Sequence, residues 1–464
     1  MYEALVGLDI TTLKPYPLLA ESWESRASGQ SYVFKLRRGV RFHDGTTFTA
    51  QDVKLSFDRI VALQKSFGWE RLKVIKQIRV IDDYTVEFII EPGPTPFPIL
   101  ANTVLMVSGD AIRKNEKSGD WANPWFKDKV VGTGPYRLVE WRQNDRFLLA
   151  RYDGYWGKKP FFKDVVILDV PEASTQTLMI LQGQVDVATT IAPDQVDRLR
   201  NLPTLNVIQE KGPYNLSLRL LAQGDVPTAD RQVRRAIAYA MDYQRLWSVR
   251  GKDLIQTDGP IPSVFMGGWR PSNLYTYDLA KARQELAKSK FPNGGFKLTA
   301  VIPTGQAHQQ TAMEILKAEL QKLNIDLDIQ VRDWVPVYRD FLRWKSENDP
   351  RAQRPIQGLT LGLPPLVVDA SNYVQIYECA SGLNFIAYCN PEVDKLLETA
   401  ARSRTVAERD NLYRQAVKII LEDSPDVYIG LNNMTAVVRS DIKGFKIQKI
   451  WHPYGVRIDA LSRQ

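Results

Sequence analysis

From Ser31 to Phe42 the segment SYVFKLRRGVRF alternates apolar and polar residues, which places Tyr32, Phe34 and Leu36 on one face of a strand. His43-Asp44-Gly45-Thr46 then reads as a tight turn, because Asp-Gly supplies both the side-chain acceptor and the freedom at positive φ that such turns use. In TAQDVKLSFDRI the period changes. Thr49 and Asp52 have the spacing of a capping box, and Val53, Leu55, Phe57 and Ile60 begin the apolar stripe of a helix. IKQIRVIDD and YTVEFIIEP predict a hairpin turning at Asp82-Asp83, and PFPILAN and SGDAIRKN predict short helices.

Further along, VVGTGPYRLVEWRQNDRFLLARYDGYW reads as a Gly-rich turn followed by two strands, and STQTLMILQGQVDVATTI as a helix broken at Gly183 before a short strand. DRQVRRAIAYAMDYQRLW predicts one helix with Val233, Ile237, Ala240 and Met241 inward. FKLTAVIP, TAMEILKAELQKLN and IDLDIQVRDW form a strand, helix, strand unit, the alternation that builds a parallel sheet. PEVDKLLETAAR and VAERDNLYRQAVKIILED predict two more amphipathic helices, and VYIGLNN and TAVVRS two strands. The class is α/β. No internal repeat or low-complexity tract interrupts it.

At 464 residues the chain exceeds one ordinary core, so two or three domains are expected. No run approaches the ~18 uninterrupted apolar residues of a membrane helix, so a soluble protein is expected. The formal charge of +8 suits an anionic partner, but Lys and Arg alternate with Asp and Glu without a basic tail or RNA-type aromatic signature, which argues against nucleic acid. GxSxG, HExxH and phosphate-loop patterns are missing, and Gly132-Thr133-Gly134 lacks the third glycine of a dinucleotide fingerprint, so neither catalysis nor a cofactor is indicated. His43, His308 and His452 lie far apart without ligand spacing to a cysteine, so no metal is expected. Eleven Trp, 19 Tyr and 17 Phe are a rich supply of rigid amphipathic surface, most of it expected in the core and a minority available for stacking in a binding cleft. The only cysteines, Cys379 and Cys389, flank the turn-like ASGLN. Their spacing predicts a disulfide and an oxidising compartment, with two free thiols as the alternative.

Six blocks in order carry a resemblance: YEALVGLD, LAESWESRASGQSYVFKLRRGVRFHDGTTFTAQDVKLSFDRI, GTGPYRLVEW with RYDGYWGKKP, LQGQVDVATT, VRRAIAYAMD and NPEVDKLLETA. Together the chain resembles the extracellular solute-binding proteins of the peptide, nickel and opine ABC-importer class. The resemblance implies a two-lobed, periplasmic-binding-protein-like clamshell with mixed sheets. Lobe I would comprise 1–19, 136–214 and 430–464, with 20–135 as its subdomain, and lobe II 215–429. GTGPY would turn between lobes, and the chain would cross near Gly212 to Asn215 and return near Ile429 to Asn433. A monomer without enzymatic activity would capture a small solute, such as an oligopeptide or an opine or sugar conjugate, and deliver it to a membrane permease. A ligand-sensing receptor of the same fold feeding a signalling pathway is the second reading. The protein would be periplasmic, or exported and membrane-tethered, its leader removed or its start truncated ahead of MYEALVGLD.

By the same resemblance, Glu3, Thr190, Tyr214, Arg219 and Asn384 match cleft-lining positions. In peptide-binding members a Trp and an Asp precede an Asp-Pro turn, and that Asp pairs with the peptide α-ammonium. Alignment through Asp369-Ala370-Ser371-Asn372 puts those positions on Leu363 and Leu366. A buried ammonium without a carboxylate costs several kcal/mol, so a free peptide N-terminus is poorly served unless Asp369 takes the role.

Overall fold

A computed structural model describes residues 1–9, 14–64, 69–91, 95–250, 254–266, 269–304, 306–333, 336–337, 339–340, 356–363, 367, 369–403, 405–447 and 457–464. The chain divides into two compact units. One takes Met1–Ile208 and Thr435–Gln464 with Val367, and the other takes most of what lies between. Residues 20–135 fall in the first unit together with what precedes and follows them.

In the first unit, Ala20–Arg26, Ser31–Leu36, Thr85–Ile90 and Ile75–Asp82 form a four-stranded antiparallel sheet. Its inner face carries the core, where Phe34, Phe57, Phe88 and Phe97 meet in tilted and edge-to-face contacts. Such aromatic pairs bury much area and prefer these offset geometries. The helix Ala50–Leu63 lies over this core through Val53 and Phe57. The backbone N–H and hydroxyl of Thr49 both donate to Asp52 Oδ2, at 2.8 and 3.0 Å, and Gly109 N donates to Asp52 Oδ1 at 2.9 Å. Asp52 therefore caps its own helix and anchors the start of Gly109–Asn115. Burial pushes its carboxyl pKa up, partly offset by these donors. Asp52→Ala strands three donors and is expected to cost about 2 kcal/mol, read as a lower urea midpoint at unchanged slope.

A three-stranded antiparallel sheet, Tyr136–Arg142, Arg146–Arg151 and Asp164–Leu168, follows in the same unit. Its third strand has no counterpart in the sequence expectation. GTGPY lies wholly inside this unit, so the expectation that it turns between lobes does not hold. Gly134 N donates to Met1 O at 2.8 Å, and a Cβ on Gly132 or Gly134 would stand within 2.6 Å of Met1 O. These glycines are there so that the first residues can approach.

In the second unit, Phe296–Pro303 pairs in parallel with Ile325–Arg332 along its whole length, and the helix Ala307–Gln321 connects them. Gly358–Leu363 pairs in parallel with Phe296–Pro303 and antiparallel with Leu205–Leu220. Ala236, Ile237, Leu298, Ala300, Leu316 and Leu320 fill the core beneath. A second core gathers Tyr373, Tyr377, Tyr388, Val393, Leu397, Tyr413 and Ile420 around the helices Pro391–Ala401 and Val406–Asp423.

Two expectations are corrected here. The helix predicted through DRQVRRAIAYAMDYQRLW is two, Arg231–Ala240 and Tyr243–Arg250, because Met241 is extended and the Asp242 carboxylate accepts from Arg245 N at 2.9 Å to start the second. VYIGLNN and TAVVRS are a single strand, Asp426–Arg439. This strand and Leu205–Leu220 both run straight through the division between units, at 208/209 and 434/435. An uninterrupted strand has no local break for pattern reading to find.

Candidate functional site

The first unit places Glu3 among donors. Its Oε2 accepts from Thr133 Oγ1 at 2.9 Å and Trp156 Nε1 at 3.0 Å, and its Oε1 from Tyr155 OH at 2.9 Å. Burial raises its pKa, and the three donors pull the other way. The carboxylate is thus committed within its own unit. Thr190 is exposed, and the backbone amides of Thr189 and Thr190 share Gln176 Oε1 at 3.2 and 3.1 Å. Glu3 and Thr190 share no partner among these contacts.

In the second unit, Tyr214 is half-buried on the strand Leu205–Leu220. Its backbone N–H donates to Asn432 Oδ1 at 3.0 Å, and Tyr373 OH donates to the neighbouring Pro213 O at 2.6 Å. A Cβ on Gly212 would sit 2.2 Å from Asn432 Oδ1, so glycine is what admits that side chain against the strand. The Tyr214 ring edge and the Leu216 side chain each lie 3.7 Å from where a Cβ on Gly362 would stand. Leu363, opposite Asn215 in the ladder, belongs to the strand Gly358–Leu363, but its side chain and all of Leu366 lie outside the described residues.

Arg219 is neither at the surface nor free. It is 2% exposed, and its Nε donates to Asp426 Oδ1 at 3.2 Å. Tyr377 OH donates to Asp426 Oδ2 at 2.6 Å and stands 2.9 Å from Tyr428 OH. Burial raises the Asp426 pKa against the pull of Arg219. Asp369 is also occupied. Arg409 Nη2 lies 3.0 Å from its Oδ2, and Ser371 N donates to its Oδ1 at 2.9 Å. Recruiting Asp369 to a ligand ammonium would mean displacing that guanidinium, so the structure weighs against that expectation. Asn384 closes its own loop instead of facing outward: its amide donates to Glu378 O and Tyr388 O and accepts from Tyr388 N. Cys379 and Cys389 are disulfide-bonded, with Cα atoms 4.6 Å apart.

His43-Asp44-Gly45 forms a turn, with Gly45 at φ +87° and Asp44 Oδ1 accepting from both the amide and hydroxyl of Thr46. Among the described residues no group of three or more His, Cys, Asp or Glu side chains could hold a metal ion, and no helix is long and apolar enough to cross a membrane.

Residues 14–362 match the family model for bacterial extracellular solute-binding proteins, family 5. The chain belongs to this family. The dipeptide-binding protein of Escherichia coli is 25% identical to it, over 97% of this chain and 87% of the relative. The ABC transporter-associated periplasmic binding protein DppA of Helicobacter pylori, solved with the peptide STSA, is similar across 100% of this chain and 92% of its own, with a TM-score of 0.83 and 26% identity. AgaA of A.tumefacien R10, solved with agropinic acid, shares the fold at a TM-score of 0.82 over 100% of this chain and 93% of its own, with 24% identity. The fold is the two-lobed one of periplasmic binding proteins, and the protein is a substrate-binding component of the ABC-importer class.

For a family 5 protein, the polar group that sequence reading passed over is the one around Asp258. This residue is fully buried. Its Oδ2 accepts from Lys211 Nζ at 2.6 Å and from Ser263 N at 2.9 Å, and Arg270 Nε lies 2.7 Å from its Oδ1. Burial works against the charge, but Lys211 and Ser263 outweigh it and hold the pKa below the ordinary carboxylate value. Asn215 fixes the same loop by donating to Gly259 O at 2.6 Å and Pro260 O at 3.0 Å. The available signal was TDGP at Thr257–Pro260, which reads as an ordinary turn because its cationic partners lie 47 residues upstream and 12 downstream along the chain (258 − 211 and 270 − 258).

Proposed function

We propose that this protein captures a small solute outside the cytoplasmic membrane, as a monomer, and delivers it in a closed form to a membrane permease. The carrying observation is the family match over residues 14–362, joined to a chain of two compact units with two uninterrupted strands running from one to the other. Strands of this kind are suited to a bending hinge, because a small φ/ψ change spread over a few residues rotates a unit without breaking its core. A ligand shifts such an equilibrium only through differential affinity for the closed form.

The ligand class follows the relatives: a short peptide, as for the dipeptide-binding protein and the STSA-bound DppA, or an opine such as the agropinic acid held by AgaA. Native mass spectrometry of freshly purified protein, compared with its denatured mass, is expected to show a retained small solute. Small-angle scattering should then show a smaller radius of gyration with that solute than after its removal. An unchanged radius at saturating solute rejects closure.

A further inference from the structure

Three carboxylates of the second unit are spent on internal partners. Asp369 is held by Arg409, Asp426 by Arg219 and Tyr377, and Asp423 Oδ2 by Tyr388 OH and Asn390 Nδ2 at 2.7 and 2.8 Å. In the first unit, Glu3 accepts from three donors. A ligand ammonium would have to displace a partner at each of these four.

The opposite holds for anions at Asp258. Two cations converge on one buried carboxylate, so the cluster carries a net charge of +1 by count. Lys211 is 32% exposed and Arg270 49%, whereas Asp258 is 0% exposed, so the excess positive charge is on the outer side of the cluster. Lys211 uses one of its three N–H groups on Asp258, and Arg270 approaches it through Nε, which leaves the outer guanidinium edge for a second acceptor. The loop behind them is fixed by Asn215 and by Thr257 Oγ1, which accepts from Gly259 N at 3.0 Å. Lys211 is the third residue after the chain enters this unit at Gln209, on the strand that also bears Tyr214.

Resting on the solute-binding reading above, we propose that Lys211 and Arg270 are the seat for an anionic oxygen group of the solute, a carboxylate or phosphate, with Asp258 as the positioning residue that aims both cations. The solute this favours is an acid without a free ammonium. The cations gain from the anion by charge-assisted hydrogen bonds, and the buried carboxylate behind them prevents their mutual repulsion.

The test is isothermal titration with N-acetyl-alanyl-alanine, which has a carboxylate and no ammonium, against alanyl-alanine amide, which has the reverse. The acetylated peptide is expected to bind at least tenfold tighter. Lys211→Gln and Arg270→Gln should each weaken it roughly tenfold, and Lys211→Arg should retain it. Thermal unfolding of each variant separates lost binding from lost fold. Tighter binding of the amide, unchanged affinity in both Gln variants while they remain folded, or no binding of the acetylated peptide overturns the proposal. None of these removes the solute-binding reading, which stands or falls with retained solute and compaction.

Discussion

Arg219→Met is expected to destabilise the protein by about 3–5 kcal/mol, the cost of leaving one member of a buried ion pair without the other. Asp426 is 1% exposed and Arg219 2%, so solvent does little to compensate either charge. The guanidinium is itself only partly satisfied, since its Nη1 and Nη2 are buried without a hydrogen-bond partner. The pair is therefore costly to break and not especially stabilising to have. It follows that the double replacement Arg219→Met with Asp426→Leu should recover most of the loss, leaving Tyr377 OH with Tyr428 OH as its partner. Denaturant unfolding of both singles and the double gives the coupling energy; singles that each cost under about 1 kcal/mol would refute this reading.

The same variant has a pH signature. Burial already raises the Asp426 pKa in the folded protein, and Arg219 opposes it most, joined by the Tyr377 hydroxyl. In Arg219→Met the folded pKa rises further above the unfolded value of about 3.9. The folded state then binds the proton more tightly than the unfolded state. The deficit is present in full above the folded pKa and shrinks as pH falls through it toward the unfolded one. A deficit independent of pH would place the loss in packing instead of charge.

These consequences define what pattern reading reaches and what it misses. The alternation Tyr32, Phe34, Leu36 and the Thr49 and Asp52 cap are local, and the structure has the strand, turn and capped helix in that order. The strand, helix, strand unit from Phe296 to Arg332 is local in the same sense. Arg219 and Asp426 are 207 residues apart, and Asp369 and Arg409 are 40 apart (409 − 369), so nothing in the sequence says that these charges neutralise each other. Arg219 and Asp369 were named as ligand residues through the family resemblance, and their ion pairs become visible only in the fold. Asn384 was placed in the cleft by resemblance alone, and its pairing with Glu378 O and Tyr388 inside its own loop has no signature in the local pattern. Lys211, Asp258 and Arg270 were invisible because they too lie apart along the chain.

Removing the disulfide by Cys379→Ser with Cys389→Ser is expected to cost about 3 kcal/mol, from the chain entropy returned to the unfolded state when a loop of about ten residues opens. For a unit of this size that lowers the melting temperature by roughly 6 to 12 °C. The loop is also held by other contacts, among them Ala222 N donating to Ile386 O at 2.9 Å. Asn384 ties its two sides, Cys379 N donates to Asp394 Oδ1 at 3.0 Å, and Tyr388 OH donates to Asp423 Oδ2. What the loop anchors is larger, because Tyr377 and Tyr388 meet edge-to-face at 6.0 Å and both enter the core beneath the last two helices. Reductant should lower the melting temperature of the wild type by the same amount and leave the double Ser variant unchanged. The bond also bears on where the protein works: a chain recovered from the periplasm that titrates two free thiols under denaturing, non-reducing conditions would refute both the bond and the oxidising compartment it implies.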